Sequence, residues 1–384
     1  MRELYLPYGR QYIDESDIES VINVLKSEYL TTGPMLAKFE EKVSQYVGSK
    51  YAVAFSNGTA ALHGACFAAG ISEGDEVITT SLTFAASANC IRYMGGTVVF
   101  ADINEQTYNI DPVEIEKCIT DKTKAIIPVH FTGQPVDIDA IHKLAKKYNL
   151  IVIEDGAHAL GATYKGQKIG SISDMTMFSF HPVKHITTGE GGIITTDNKE
   201  YYEKLLQFRS HGITRDIGLL NENHGPWYYE MKFLGYNYRM TDIQAALGIS
   251  QMDKLDAFIL RRREIVSMYN EAFVNIKEIT VPHQLNDTNS SWHLYVIQLE
   301  IGQLNTTRKE IFEELQKRNI GVNVHYIPIH TMPYYQGLGY QIGSLPKTER
   351  LYEKIISLPL FPAMTDNDVH DVIGAVKEVI KGDL

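Results

Sequence analysis

Residues 176–196, TMFSFHPVKHITTGEGGIITT, set a single lysine, Lys184, between two runs rich in β-branched and aromatic side chains. Residues 177–180 and 193–196 have the composition of strands, and Gly189, Gly191 and Gly192 supply the turn between them, so the segment predicts a hairpin with Lys184 near its tip. A primary amine held in this way can serve as a nucleophile or carry a proton, provided its surroundings take its charge away. A lysine in a loop is ordinarily just solvated, so its company decides. Residues 149–162, NLIVIEDGAHALGA, read as a short apolar strand ending in Glu154 and Asp155, with His158 just beyond. In open α/β sheets ligands gather at the carboxyl ends of strands, where Asp155 falls. Residues 51–70, YAVAFSNGTAALHGACFAAG, read as a strand, a tight turn over 56–59 and an alanine-rich helix. The backbone N–H groups of such a helix start, at Gly58 and Thr59, form a natural phosphate cradle.

An amine, a strand-end carboxylate and a phosphate cradle are the three parts that pyridoxal 5'-phosphate (PLP) needs. The lysine bonds to the cofactor aldehyde, the aspartate keeps the pyridine nitrogen protonated, and the cradle anchors the phosphate. Other chemistries fit less well. The 13 histidines are scattered without Cys/His metal-ligand spacing, and no GxGxxG follows a strand. A formal net charge of −11 argues against nucleic-acid binding, so anionic ligands must be held by local donors rather than by the global field. Cys66, Cys90 and Cys118 form no CxxC pair, and no apolar run approaches the roughly 18 residues of a membrane span. With an N-terminus lacking the apolar core of a signal peptide, the expectation is a cytoplasmic protein without membrane or nucleic-acid partners.

Four ordered blocks, SNGTAAL at 56–62, EDGAHALGA at 154–162, FSFHPVKHITTGEGG at 178–192 and GYNYRMTDIQAALG at 235–248, resemble the DegT/DnrJ/EryC/StrS sugar aminotransferases over nearly the whole chain. The resemblance implies an α/β chain of the PLP-dependent transferase fold type I, aspartate-aminotransferase-like. Its large domain carries a mostly parallel seven-stranded sheet, and a smaller C-terminal α+β domain follows. It implies Lys184 as the catalytic amine, with Gly58, Thr59, Phe84, Asp155, His158, Ser179 and Asn237 around the cofactor. Phe84 would lie on the ring, Ser179 would hold the phosphate five residues before the lysine, and Asn237 would reach the phosphate of a second subunit. The homodimer would then share its active sites. Read from its own residues alone, 237–239 is equally a helix entry with Thr241 as N-cap. Relatives with histidine at the lysine position are dehydratases; His185 is one place too late for that, so transamination is favoured.

The blocks SEYLTTG at 27–33, FRSHGI at 208–213, VHYIPI at 324–329 and SLPLFPAMT at 357–365 are similar to the branch that aminates C4 of a UDP-linked 4-keto-6-deoxy-N-acetylhexosamine, using L-glutamate, in pseudaminic acid biosynthesis. That likeness puts Tyr8, Tyr29, Leu30, Thr31, Val324, His325 and Tyr326 on the sugar nucleotide. The rival readings are a C3 or C4 aminotransferase of a dTDP- or GDP-linked keto-sugar and a non-catalytic regulator that keeps the fold as a sensor.

The positioning elements follow from periodicity. Residues 14–27 place Ile18, Val21, Ile22 and Leu25 at helical spacing and predict an amphipathic helix packed on the large domain; 33–48 predict a second helix ended by Gly48. Strands are expected at 77–80, 97–101 and 124–131, with helices at 87–94 and 138–148, the βα repeat of a doubly wound sheet. One long helix is expected from 242 toward 273, with Arg261 to Arg263 on a solvated face. Beyond it come strands at 291–300 and 321–329, a flexible loop at 334–343 and a closing helix at 365–381. The domains are expected at 1–248, including an N-terminal arm, and 249–384.

Overall fold

The computed structural model describes residues 2–382. Seven strands form the central sheet: β1 (Tyr51–Phe55), β2 (Glu76–Thr80), β3 (Thr97–Ala101), β4 (Thr123–Ile127), β5 (Ile151–Asp155), β6 (Met175–Ser179) and β7 (Gly192–Thr196). Their order is β1-β7-β6-β5-β4-β2-β3. Every pairing is parallel except those of β7, which runs antiparallel to β1 and to β6. The predicted hairpin is therefore present as β6 and β7, with Lys184 in the connection.

Alternating side chains along each strand feed two apolar layers. Ala52, Ala54, Ile126, Val152, Phe178 and Ile193 pack against α2 (Pro34–Val47) and α6 (Ile138–Tyr148). Val53, Phe55, Ile127, Ile153, Met177 and Ile194 pack against α3 (Gly58–Ala68), α4 (Ala86–Tyr93) and α7 (Lys199–Phe208) on the other face. Buried on both sides, the sheet takes the near-continuous apolar strands that parallel sheets require.

A third cluster fills the C-terminal region. It unites Ile265, Val266, Tyr269 and Phe273 with β9 (Tyr295–Leu299), β10 (Ile355–Leu358), α10 (Arg308–Lys317) and α13 (Asp366–Lys381). β9 pairs antiparallel with β10 and with the short β8 (Ile279–Thr280). Leu6 belongs to this cluster as well. Its N–H donates to Asn319 O at 2.9 Å, and Gly321 N–H donates to Leu6 O at 2.7 Å. Arg2 pairs with Asp368 at 2.6 Å and Asp371 at 2.8 Å. The N-terminal arm is thus stitched to the C-terminal region before the chain crosses to the central sheet.

Several expectations change. The long helix is two, α8 (Asp242–Met252) and α9 (Leu255–Phe273). No proline or glycine marks the break; Lys254 at the join reaches Asp17 at 2.8 Å. α9 gives Leu255, Phe258 and Ile259 to the layer with α2 and α6, and gives residues from Ile265 onward to the C-terminal cluster. Arg262 is fully buried rather than solvated. Its place in the 258-262-265-269-273 stripe turns it inward, where Nη1 donates to three carbonyl oxygens while Nε and Nη2 have no partner. In α1 (Glu15–Leu25), Ile18, Ile22 and Leu25 are exposed, while Asp17 and Val24 face inward against α8. The strand expected at 124–131 ends at Ile127 because Pro128 has no N–H for the ladder. Residues 321–329 form no regular strand; only Asn323 bridges, to Ser357. In the loop expected to be flexible, Tyr335 is buried and its hydroxyl donates to Asn89 Oδ1 at 2.8 Å. No helix among the described residues is long and apolar enough to cross a membrane.

Candidate active site

A cleft of about 1070 Å3 opens where the C-terminal ends of the parallel strands meet the start of α3 and the irregular segment after Asn323. The turn that begins α3 is built by Asn57, whose Oδ1 accepts from Ala60 N–H at 2.8 Å as an N-cap. The amides of Gly58 and Thr59 have no bonded partner among the described residues, and both residues line the cleft. Close packing leaves no room for a larger residue behind them. A Cβ on Gly192 would stand 2.6 Å from the Asn57 carbonyl, and one on Gly58 would lie 3.4 Å from Ser179 Oγ.

Asp155 ends β5 and is almost wholly buried. Its Oδ2 accepts from Ser87 Oγ at 2.7 Å and its Oδ1 from Ala157 N–H at 3.1 Å. Burial raises its carboxyl, and these two donors work against that rise. Lys184 lies across the cleft. Burial lowers its ammonium to about 8, opposed by the Asp155 carboxylate and reinforced by Arg262. His158 Nε2 meets Tyr326 Oη at 3.1 Å, while its Nδ1 is buried without a partner. Phe84 leaves 61% of its surface open on the cleft wall, a flat apolar face with nothing covering it. Tyr8 stacks at a tilt on His325, with ring centroids 5.2 Å apart, and His325 Nδ1 meets Ser357 Oγ at 2.8 Å.

Of the residues singled out in the sequence, Gly58, Thr59, Phe84, Asp155, His158, Ser179, Lys184, Tyr8, Val324, His325 and Tyr326 line this one cleft. Asn237, Tyr29, Leu30 and Thr31 do not; all four are exposed on the surface of the single chain. Sequence reasoning missed Ser87, Tyr93, Tyr238, Asn323 and His293. Tyr238 and Asn323 adjoin residues that were picked out, so one step along the chain would have found them. His293 has no signal beyond its place within the alternating run 291–300.

A donor set of free helix-start amides, a buried carboxylate, a lysine lowered to about 8 and an open aromatic face fits PLP. The DegT/DnrJ/EryC1/StrS aminotransferase family model matches residues 11–377. The chain belongs to that family. The spore coat polysaccharide biosynthesis protein SpsC of Bacillus subtilis is 45% identical over 99% of this chain and 98% of its own. Helicobacter pylori PseC, an aminotransferase involved in the biosynthesis of pseudoaminic acid, superposes with a TM-score of 0.92 at 34% identity, covering 98% of this chain and all of that one. Spr1654 of Streptococcus pneumoniae, described as a sugar aminotransferase, matches in its pyridoxamine phosphate form with a TM-score of 0.92 at 35% identity. That match covers 99% of this chain and 100% of the other, and Spr1654 is also solved in a PLP form. This DegT/DnrJ/EryC1/StrS member is a PLP-dependent sugar aminotransferase, and its α/β architecture is that of the solved aminotransferases.

Proposed function

We propose that this aminotransferase moves an amino group from L-glutamate to C4 of a UDP-linked 4-keto-6-deoxy-N-acetylhexosamine, as a cytoplasmic step toward pseudaminic acid. The observation that carries the chemistry is the meeting in one cleft of a lysine lowered to about 8, a buried carboxylate and a helix start whose Gly58 and Thr59 amides are free. When bound, the cofactor supplies an aldehyde that accepts the amino group and a ring that draws electrons from the neighbouring carbon.

The chain's own residues do the rest. Gly58 and Thr59 amides with Ser179 Oγ would hold the phosphate, Asp155 would keep a proton on the ring nitrogen, and Phe84 and His158 would bound the ring. Ser87 and Ala157 N–H fix the Asp155 carboxylate in orientation. Lys184 would move the proton, because near neutral pH an amine at about 8 exists in both charge states. Tyr8, Val324, His325 and Tyr326 would contact the sugar nucleotide.

Asn237, Tyr29, Leu30 and Thr31 would join the site of a second copy in a homodimer. The exposed Ile18, Ile22 and Leu25 of α1 support such pairing, since an apolar stripe facing water calls for a partner. The likeness to PseC supports the pseudaminic acid substrate. The likeness to SpsC favours a second reading, amination of a different nucleotide keto-deoxy sugar destined for a surface polysaccharide.

Purified protein should be given L-glutamate with UDP-, dTDP- and GDP-linked 4-keto sugars separately, and the new amine mapped by NMR. C4 amination of the UDP sugar alone is expected, and exclusive turnover of another nucleotide would replace the substrate assignment. Lys184→Ala should cut turnover by roughly 100- to 10,000-fold or more, and full activity in that variant would end the reading.

A further inference from the structure

Beside Lys184 stands a histidine to which the family blocks assign nothing. His293 Nε2 lies 3.5 Å from Lys184 Nζ. The ring is buried, with 4% exposure. Lys184 comes from the connection between β6 and β7, whereas His293 arrives on residues 290–294, the approach to β9.

That approach is fastened on several sides. His293 N–H donates to Thr132 O at 2.8 Å, and Ser291 N–H donates to Gly133 O at 3.2 Å. Ser291 Oγ donates to His158 O at 2.9 Å, and His185 Nε2 donates to Ser291 O at 3.1 Å. Arg262 Nη1 donates to the carbonyls of Trp292 and His293, both at 3.2 Å, and to that of Leu360 at 2.8 Å. Trp292 holds φ at +51°, a region that bulky residues rarely enter. Gly133, at φ +103°, makes room for this turn; a Cβ there would stand 2.9 Å from Trp292 N. The backbone that aims the His293 ring is uncommon, and it is held in place.

We propose that His293 is the hydrogen-bond partner that holds the Lys184 amine in position whenever that amine is not bonded to the cofactor. A neutral imidazole has one lone pair and one N–H. Toward an ammonium, Nε2 accepts; toward a neutral amine, Nε2–H donates. Which nitrogen carries the proton is normally fixed by the bond made at the other nitrogen. His293 Nδ1 is buried with no partner, so nothing pins the tautomer and the ring can serve both charge states of Lys184. The ring itself stays neutral. Burial pushes it well below the ordinary histidine range, and Lys184, His158, His185 and Arg262 around it add to that push. Among the described residues, Asp155 is the acidic group whose charge raises Lys184.

The proposal rests on Lys184 being the reacting amine, and its test separates the two. Cofactor-free protein is labelled with acetic anhydride across a pH series, and acetylation at residue 184 is quantified by peptide mass mapping; turnover is measured in parallel. His293→Phe keeps a ring of similar volume but offers no acceptor to the ammonium. Its labelling midpoint should fall by about half a pH unit or more. Its kcat should drop at least about tenfold while KM for the keto-sugar stays unchanged. His293→Gln, whose amide reaches the place of Nε2, should regain most of both; His293→Asn, whose amide reaches only the place of Nδ1, should not. An unmoved midpoint in the Phe variant, or equal behaviour of Gln and Asn, overturns the proposal. If the Phe variant does not fold, the contrast between Gln and Asn decides alone. Full activity of Lys184→Ala would instead strike the underlying assignment, whatever His293 does.

Discussion

Burial brings the Lys184 amine down to about 8, against about 10.4 for a lysine in water. Only the neutral amine attacks an aldehyde, so the sign of the pH effect is fixed. PLP capture by cofactor-free protein should accelerate as pH rises and level off above about 8. Stopped-flow absorbance across the pH range checks this, and a midpoint near 10 would mean the lysine is not desolvated. At this scale the sequence was informative where chemistry and backbone signals coincide. Asp155 ends an apolar run, Gly58 and Thr59 follow an N-capping asparagine, and Lys184 sits between two strands. It was silent on Ser87 and His293, which reach Asp155 and Lys184 from residues 68 and 109 positions away. Arg262 differs: its charge points to solvent, while its place in the apolar stripe of α9 points inward, and the stripe prevails.

Elements with strong periodicity were legible, and those shaped by contacts across the molecule were not. Short apolar runs and βα spacing predict all seven strands of the sheet, because each strand buries both faces on its own local pattern. The break between α8 and α9 carries no local mark, and the irregular course of 321–329 is set by the Asn323 bridge to Ser357 and by the arm at Leu6. Glycines separate two kinds of packing. Gly192→Ala puts a methyl 2.6 Å from the Asn57 backbone, where β7 meets the start of α3. It should cost roughly 1–3 kcal/mol of stability and loosen the phosphate cradle. Gly374 lies inside α13 with nothing within 4 Å of a Cβ, so Gly374→Ala should stabilise by roughly 0.5–1 kcal/mol. Denaturant midpoints of the two variants, with cofactor retention after dialysis, test both; a stable, cofactor-tight Gly192→Ala would refute the packing argument.

At the scale of the molecule, a chain of net charge −11 must bind a phosphorylated cofactor and, in the function proposed above, a second anion, the sugar nucleotide. Helix-start amides can do this because their field acts within a few ångströms and needs no basic surface. The expected division at 248/249 falls inside α8, ahead of α9, the rod shared by two apolar clusters. A shared rod couples the fates of both regions.

The arm makes a second coupling, and it can be cut. Residues 2–8 are sewn onto the C-terminal region through Arg2, Leu6 and Tyr8, with Leu360 N–H donating to Tyr8 O at 3.0 Å. Tyr8 also walls the cleft. A protease nick at 9–13 would therefore unhook a lining residue without touching any group that does chemistry. Such clipped enzyme should retain its cofactor and its yellow colour, yet demand far more sugar substrate to reach half-maximal speed.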